Sequence, residues 1–236
     1  MLQYLLWCIL YADLNGYEFV LTDIPDIELM TMRNEDNQHT YTMDIINDYM
    51  AIKKNYKNIN EINENNVLSL DVAKAYEFVQ QNINYSHSCD GFLKFKNLFF
   101  SGKKSRFDTT VYNVAIHIRK MGKSESKYYP YSHDRYGTDL TMIKDLINQI
   151  KTQITDKKVL FHIYSCGNND FSAIQSDEVI LHIEENVIDT FNDLVFADAL
   201  VMSTSSFSYV AGLLSNSQRI YYPKFWHPPL AYWILI

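Results

Sequence analysis

Residues 112–222 repeat one arrangement: a short, mostly apolar run, a polar turn, then a stretch of helical period. The runs at 112–118, 159–164, 179–183, 199–202 and 219–222 are too short for helices, and most lack the polar alternation of a strand with one wet face. Between the first two, Leu140, Ile143, Leu146, Ile147 and Ile150 recur at helical spacing. Thr190 and Asp193 have capping-box spacing at the head of a helix over 190–196, and Ser205 or Ser206 is placed to cap a helix ending near Leu214. Strands alternating with helices imply right-handed crossovers and an α/β fold, a doubly wound parallel sheet. In such a sheet ligands sit outside the carboxyl ends of the strands.

The first half is less regular. Leu6, Ile9, Leu10 and Leu14 mark a helix over 3–14, Asn15-Gly16 a turn, and 17–22 a strand. Residues 31–66 are polar and Asn-rich, loop-like with one helix at 43–54, and Ala73, Tyr76, Phe78 and Val79 mark another over 70–81. An aromatic, basic stretch at 94–107 then leads to a boundary, so 1–111 and 112–236 are expected as separate domains. Residues 1–14 are apolar, but no basic segment precedes them and they run into Asp13 and Asn15; an amphipathic or buried helix is expected rather than a secretion signal. No window has the 18 or so nearly continuous apolar residues of a membrane span.

Charge narrows the partners. The chain has 21 Lys and Arg against 28 Asp and Glu, net −7, which argues against a broad cationic face for nucleic acid and still permits a basic pocket. Residues 1–113 hold 10 basic and 15 acidic side chains and 114–236 hold 11 and 13, so the acidity is concentrated in the first half. Cys8, Cys89 and Cys166 lie far apart, outside any Cys-x-x-Cys pair. The seven histidines fit no ligand spacing, so no metal is expected.

The informative residues stand where strands stop. His117 and Arg119 share a face at the exit of the 112–118 run, where a guanidinium fork could grip a diphosphate. The 199–202 run passes into Ser203-Thr204-Ser205-Ser206-Phe207-Ser208, hydroxyls beside the free N–H groups of a helix start, which read as an anion seat or as ordinary capping. The 159–164 run ends in a loop holding Asn169 and Asp170, either able to satisfy a purine edge or simply a turn. Trp226-His227-Pro228-Pro229 is a stiff aromatic wall or a core-facing turn. For general acid–base work the candidate carboxylates are Asp23, Asp26 and Glu28, after the first-half strand, and Glu125 and Asp134, in the long loop after Arg119 where a substrate from across a cleft would meet them.

Val-Ala-Ile-His117-Ile-Arg119, with Asp198-Ala-Leu-Val-Met-Ser-Thr-Ser205-Ser206-Phe207-Ser208-Tyr209 far downstream, resembles the two blocks of the GDP-fucosyltransferase superfamily and its viral and bacterial relatives. The resemblance covers residues 112–233 well and the first half thinly. It implies a GT-B architecture, two Rossmann-like domains facing across a cleft, here with a C-terminal donor domain and a reduced N-terminal acceptor-side domain. It also implies a metal-independent, inverting glycosyltransferase that moves fucose from GDP-fucose to a glycan hydroxyl, with no cofactor and a cytoplasmic location, the host's cytoplasm for a viral member. The family role of diphosphate binding falls on Arg119, with His117, Ser205, Ser206, Phe207 and Ser208 lining the donor, and Asn169, Asp170 and His182 near the base. Two departures stand out: Lys120-Met121-Gly122 follow Arg119, and the family's Gly-rich, Asn-containing loop before the first helix has no counterpart. A non-catalytic nucleotide- or glycan-binding protein, or a transferase using another nucleotide sugar, fits the same blocks.

Overall fold

The computed structural model describes residues 2–21, 31–33, 38–40, 48–63, 67–119, 139–167 and 170–236. The chain divides into two compact units, Met1–Lys103 and Lys104–Ile236.

In the first unit, helix α1 (Leu2–Leu14) buries Leu5, Leu6, Trp7, Ile9, Leu10 and Ala12. A helix apolar on so many sides needs partners on more than one side, and α1 has two: α3 (Val72–Gln81) and α5 (Asp90–Phe100). Helix α3 is capped by Asp71, whose carboxylate accepts from Ala73 N–H at 2.9 Å. The aromatic stretch expected to lead into a boundary is largely the helix α5, turning Phe92, Phe95 and Phe99 into the core. Its start is closed by Asp13, which accepts from Gly91 N–H at 2.9 Å. A Cβ at position 91 would stand 2.4 Å from the Asp13 Cγ, so only glycine allows that approach.

The strand expected at 17–22 reduces, among the described residues, to one parallel bridge between Leu21 and Asn58. Its partner residue stands between the helix Ile52–Asn55 and a 3-10 helix (Ile59–Glu61) capped by the Asn58 side chain, which leaves little extended chain for a parallel ladder. Strands β1 (Thr31–Arg33) and β2 (Gln38–Thr40) form a small antiparallel pair in the segment expected to be loop-like. Of the helix expected at 43–54, α2 (Ile52–Asn55) covers the end, while 43–47 lie outside the described residues. A short helix, α4 (Ile83–Ser86), follows α3.

The second unit is an α/β layer built on six parallel strands: β3 (Tyr112–His117), β4 (Val159–Ser165), β5 (Val179–Ile183), β6 (Ala199–Val201), β7 (Arg219–Tyr222) and β8 (Ile234–Leu235). Their order is β5-β4-β3-β6-β7-β8, that of a doubly wound Rossmann-like sheet. One face carries Val114, Ile116, Phe161 and Ile163 against Ile143, Leu146, Ile147 and Ile150 of α6 (Leu140–Gln153). The helices α7 (Val187–Phe196) and α8 (Ser206–Leu214) follow β5 and β6, pack on one another, and α7 meets β3. Helix α7 starts three residues before the expected Thr190, because Asn186 accepts from the N–H groups of Ile188 and Asp189 and caps it there. The Thr190–Asp193 capping box is thus corrected: Asp193 is turned into the core.

Between β3 and β6 the winding reverses. The chain leaves β3 toward β4 and β5, then returns through α7 to lay β6 on the other side of β3, in register from Val114↔Ala199 to Ile116↔Val201. In doubly wound sheets the ligand crevice lies at such a reversal, outside the carboxyl ends of the strands.

Candidate functional site

Two of the expected segments meet at this reversal. Ile118 N–H continues the β3–β4 pairing to Tyr164 O at 2.9 Å and carries the chain to a half-buried Arg119. Across the crevice, Ser203 Oγ lies 2.8 Å from His117 Nδ1, and Phe207 sets its ring 5.4 Å from the imidazole. Burial, and secondarily the Arg119 charge, push His117 down to about 3, so the imidazole is neutral at physiological pH.

The hydroxyl block is more inward-facing than a phosphate seat requires. Ser205 caps α8 by accepting from Phe207 N–H at 3.3 Å. Ser208 is fully buried and donates to the carbonyls of Ser203 and Ser205 at 3.3 and 3.2 Å. Ser206 Oγ lies 3.0 Å from Nε2 of the buried His227.

The other expected residues stand elsewhere. Asp170, just ahead of the 3-10 turn Ser172–Ile174, accepts from Ser172 N–H at 2.9 Å, and that bond holds its carboxyl below the usual range. His182, on β5, stacks on Tyr164 at 4.5 Å and 11° and sits two strands from His117. Asn169, Asp23, Asp26, Glu28, Glu125 and Asp134 lie outside the described residues.

His182 belongs to a polar network that the sequence did not reveal. Arg106 makes a forked bond to Asp193, Nε to Oδ1 at 2.9 Å and NH2 to Oδ2 at 2.5 Å, and reaches Asp189 at 3.2 Å. Tyr164 donates its hydroxyl to the same Asp193 at 2.8 Å; burial and that carboxylate push the phenol far up. His182 lies 2.7 Å from Glu185 and 3.0 Å from His162. Asn113 donates its amide to Asp108 O at 2.8 Å, so its carbonyl faces His162 Nε2 at 3.2 Å and that nitrogen donates. Burial, together with His182, lowers His162 to about 4. The available signal was Asp193 inside the apolar run Phe191-Asn192-Asp193-Leu194-Val195, since a carboxylate there demands a cation. Beside the network, Glu184 holds a left-handed φ of 58° and accepts from Gly167 N–H, tying together the loops after β4 and β5.

These histidines set a pH response. An unfolded histidine takes a proton near pH ~6.5, whereas His162 and His227 refuse it until about 4 and His117 until about 3. The unfolded chain then binds more protons, so stability is full above pH ~6.5 and falls as the pH drops from there toward 4. Urea unfolding followed from pH 7.5 to pH 4 should show that decline, and a midpoint constant across the window would refute it.

Among the described residues no helix is long and apolar enough to cross a membrane, and no His, Cys, Asp and Glu side chains gather as a metal site. Comparison with family models, curated proteins and solved structures finds no match for this chain.

Proposed function

We propose that the crevice between β3 and β6 binds the diphosphate of a nucleotide sugar, and that the chain is a metal-independent, inverting glycosyltransferase moving fucose from GDP-fucose to a glycan hydroxyl. The observation that carries the reading is the 2.8 Å contact of His117 with Ser203, which joins the exits of both strands beside Arg119 at the point where doubly wound sheets take ligands. The two-block resemblance names the ligand class. The two-domain GT-B arrangement, with residues 112–236 as donor half and 1–111 as a reduced acceptor half, belongs to this reading.

In the reaction an acceptor oxygen attacks C1 of the sugar while the bond from C1 to the diphosphate oxygen breaks on the opposite face. The acceptor proton passes to a carboxylate, Glu125 or Asp134, and GDP leaves as the anion. Charge grows on that leaving group, so the preorganised donors around it, Arg119 and the α8 N–H groups, lower the barrier most. Neutral His117 lines the site without adding a positive charge of its own.

One observation favours a second reading, a nucleotide-binding protein without transfer activity. Among the described residues the first unit pairs β-structure only in β1–β2 and at the Leu21–Asn58 bridge, with no second doubly wound sheet. A thermal-shift panel of GDP, UDP, ADP and CMP, paired with an assay for GDP-fucose cleavage, separates the readings, since a ligand of the native state raises its stability by mass action. GDP-selective stabilisation with cleavage is expected. GDP binding without cleavage would select the second reading, and no response to any nucleotide would sink both.

A further inference from the structure

Beyond the carboxyl end of β7 the chain turns through Phe225, Trp226 and His227. His227 is buried, whereas its neighbour Trp226 leaves 48% of its surface open. The exposed indole is nonetheless held. Its Nε1–H donates to His227 Nε2 at 2.9 Å, and the rings of Phe225 and His227 stand edge-on to it at 5.1 and 5.6 Å. An aromatic ring fixed before a ligand arrives has little rotamer freedom left to lose on binding.

Hydrogen-bond roles around His227 then follow. An indole N–H only donates, so His227 Nε2 presents a lone pair and the ring proton sits on Nδ1. Burial lowers His227 to about 4, consistent with that neutral form. Ser206 Oγ lies 3.0 Å from the same nitrogen. The one lone pair of Nε2 is shared between the indole N–H and the Ser206 hydroxyl, so the serine proton turns to His227 and its oxygen keeps acceptor capacity for a ligand. Ser206 Oγ and the indole nitrogen therefore stand within about 6 Å of each other, at the carboxyl edge of neighbouring strands β6 and β7 and beside the reversal point.

An oxygen that only accepts repels a phosphate oxygen and welcomes a hydroxyl. The negative face of an indole suits a surface of polarised C–H groups. A pyranose ring has both, C–H groups on its faces and hydroxyls around its rim. We infer that Trp226 and Ser206 form a subsite for a pyranose ring, stacked on the indole and donating one hydroxyl to Ser206 Oγ. The inference rests on the proposed transferase only for where the sugar comes from, the donor or the glycan acceptor.

Saturation-transfer NMR on the full chain with methyl α-L-fucopyranoside and methyl β-D-galactopyranoside tests it, with GDP binding followed in parallel by thermal shift. Saturation of ring C–H protons is expected for at least one glycoside. It should fall about fivefold or more in W226A, stay near wild type in W226F, which keeps an aromatic face, and weaken in S206A. Displacement of the glycoside by GDP-fucose assigns the subsite to the donor sugar, and persistence of its signal assigns it to the acceptor. If W226A does not fold, the contrast of W226F with S206A still decides: no loss in S206A, or no signal from wild type, overturns the subsite whatever GDP does. A Trp226-dependent signal without any GDP response keeps the subsite and overturns the diphosphate reading instead.

Discussion

Arg106→Met is expected to cost the second unit about 3 kcal/mol, read as a lowered urea midpoint with an unchanged slope. Asp193 is 3% exposed and its two carboxylate oxygens are held by the Arg106 fork and the Tyr164 hydroxyl. Methionine covers much of the same apolar surface but leaves the carboxylate buried with the phenol alone, and an uncompensated buried charge is the expensive outcome. The cost stays at about 3 kcal/mol because the guanidinium keeps contact with water. R106K should recover only part of the loss, since an ammonium cannot reproduce a planar fork. In R106M/D193N the charge that needed a partner is gone, so the double variant should be more stable than the two single losses added together. An unchanged midpoint in R106M would show that the network does not hold this face of the sheet.

The second large effect falls on function. Arg119→Ala is expected to reduce GDP-fucose cleavage about 100-fold or more, roughly 3 kcal/mol of transition-state stabilisation, and to weaken GDP binding. Arg119 stands half-buried at the exit of β3, next to the His117–Ser203 contact. The leaving diphosphate gains charge as the bond to C1 breaks, and the guanidinium is the one full positive charge that this reading places there. R119K should keep some turnover as a point charge without the bidentate geometry. Equal cleavage rates and equal GDP stabilisation in wild type and R119A would remove Arg119 from the site and, with it, the diphosphate assignment.

How much was legible varies with how local the information is. The helix α6 follows from five apolar residues at helical spacing, all within the single stretch from Leu140 to Ile150. Strands β3, β4, β6 and β7 follow from short apolar runs, because a strand buried on both faces has little choice of composition, whereas β5, at the sheet edge, leaves Ile180 and Leu181 exposed. Their ends then position His117, Arg119 and Ser205 without further assumption. The strand at 17–22 failed for a non-local reason: its partner segment around Asn58 is hemmed in by helices at 52–55 and 59–61, which no pattern near residue 20 can announce.

Capping shows the same division in miniature. Ser205 caps α8 as its position before Phe207 suggests, while Thr190 and Asp193 have capping spacing and do not cap, because Asn186 starts α7 earlier. Asp193 went instead to Arg106, 87 residues away in sequence.

The sequence by itself determined the α/β class, the parallel strands and the residues at their exits, since strand burial and helix period are written in short windows. Tertiary structure alone decided which exits face each other, that Ser208 is buried while Ser206 turns its proton to His227, and that Arg106, Tyr164 and Asp193 form one network. Pairings of that kind depend on strand order and on which face each residue takes, and both arise only when the chain winds outward from β3 and comes back to it.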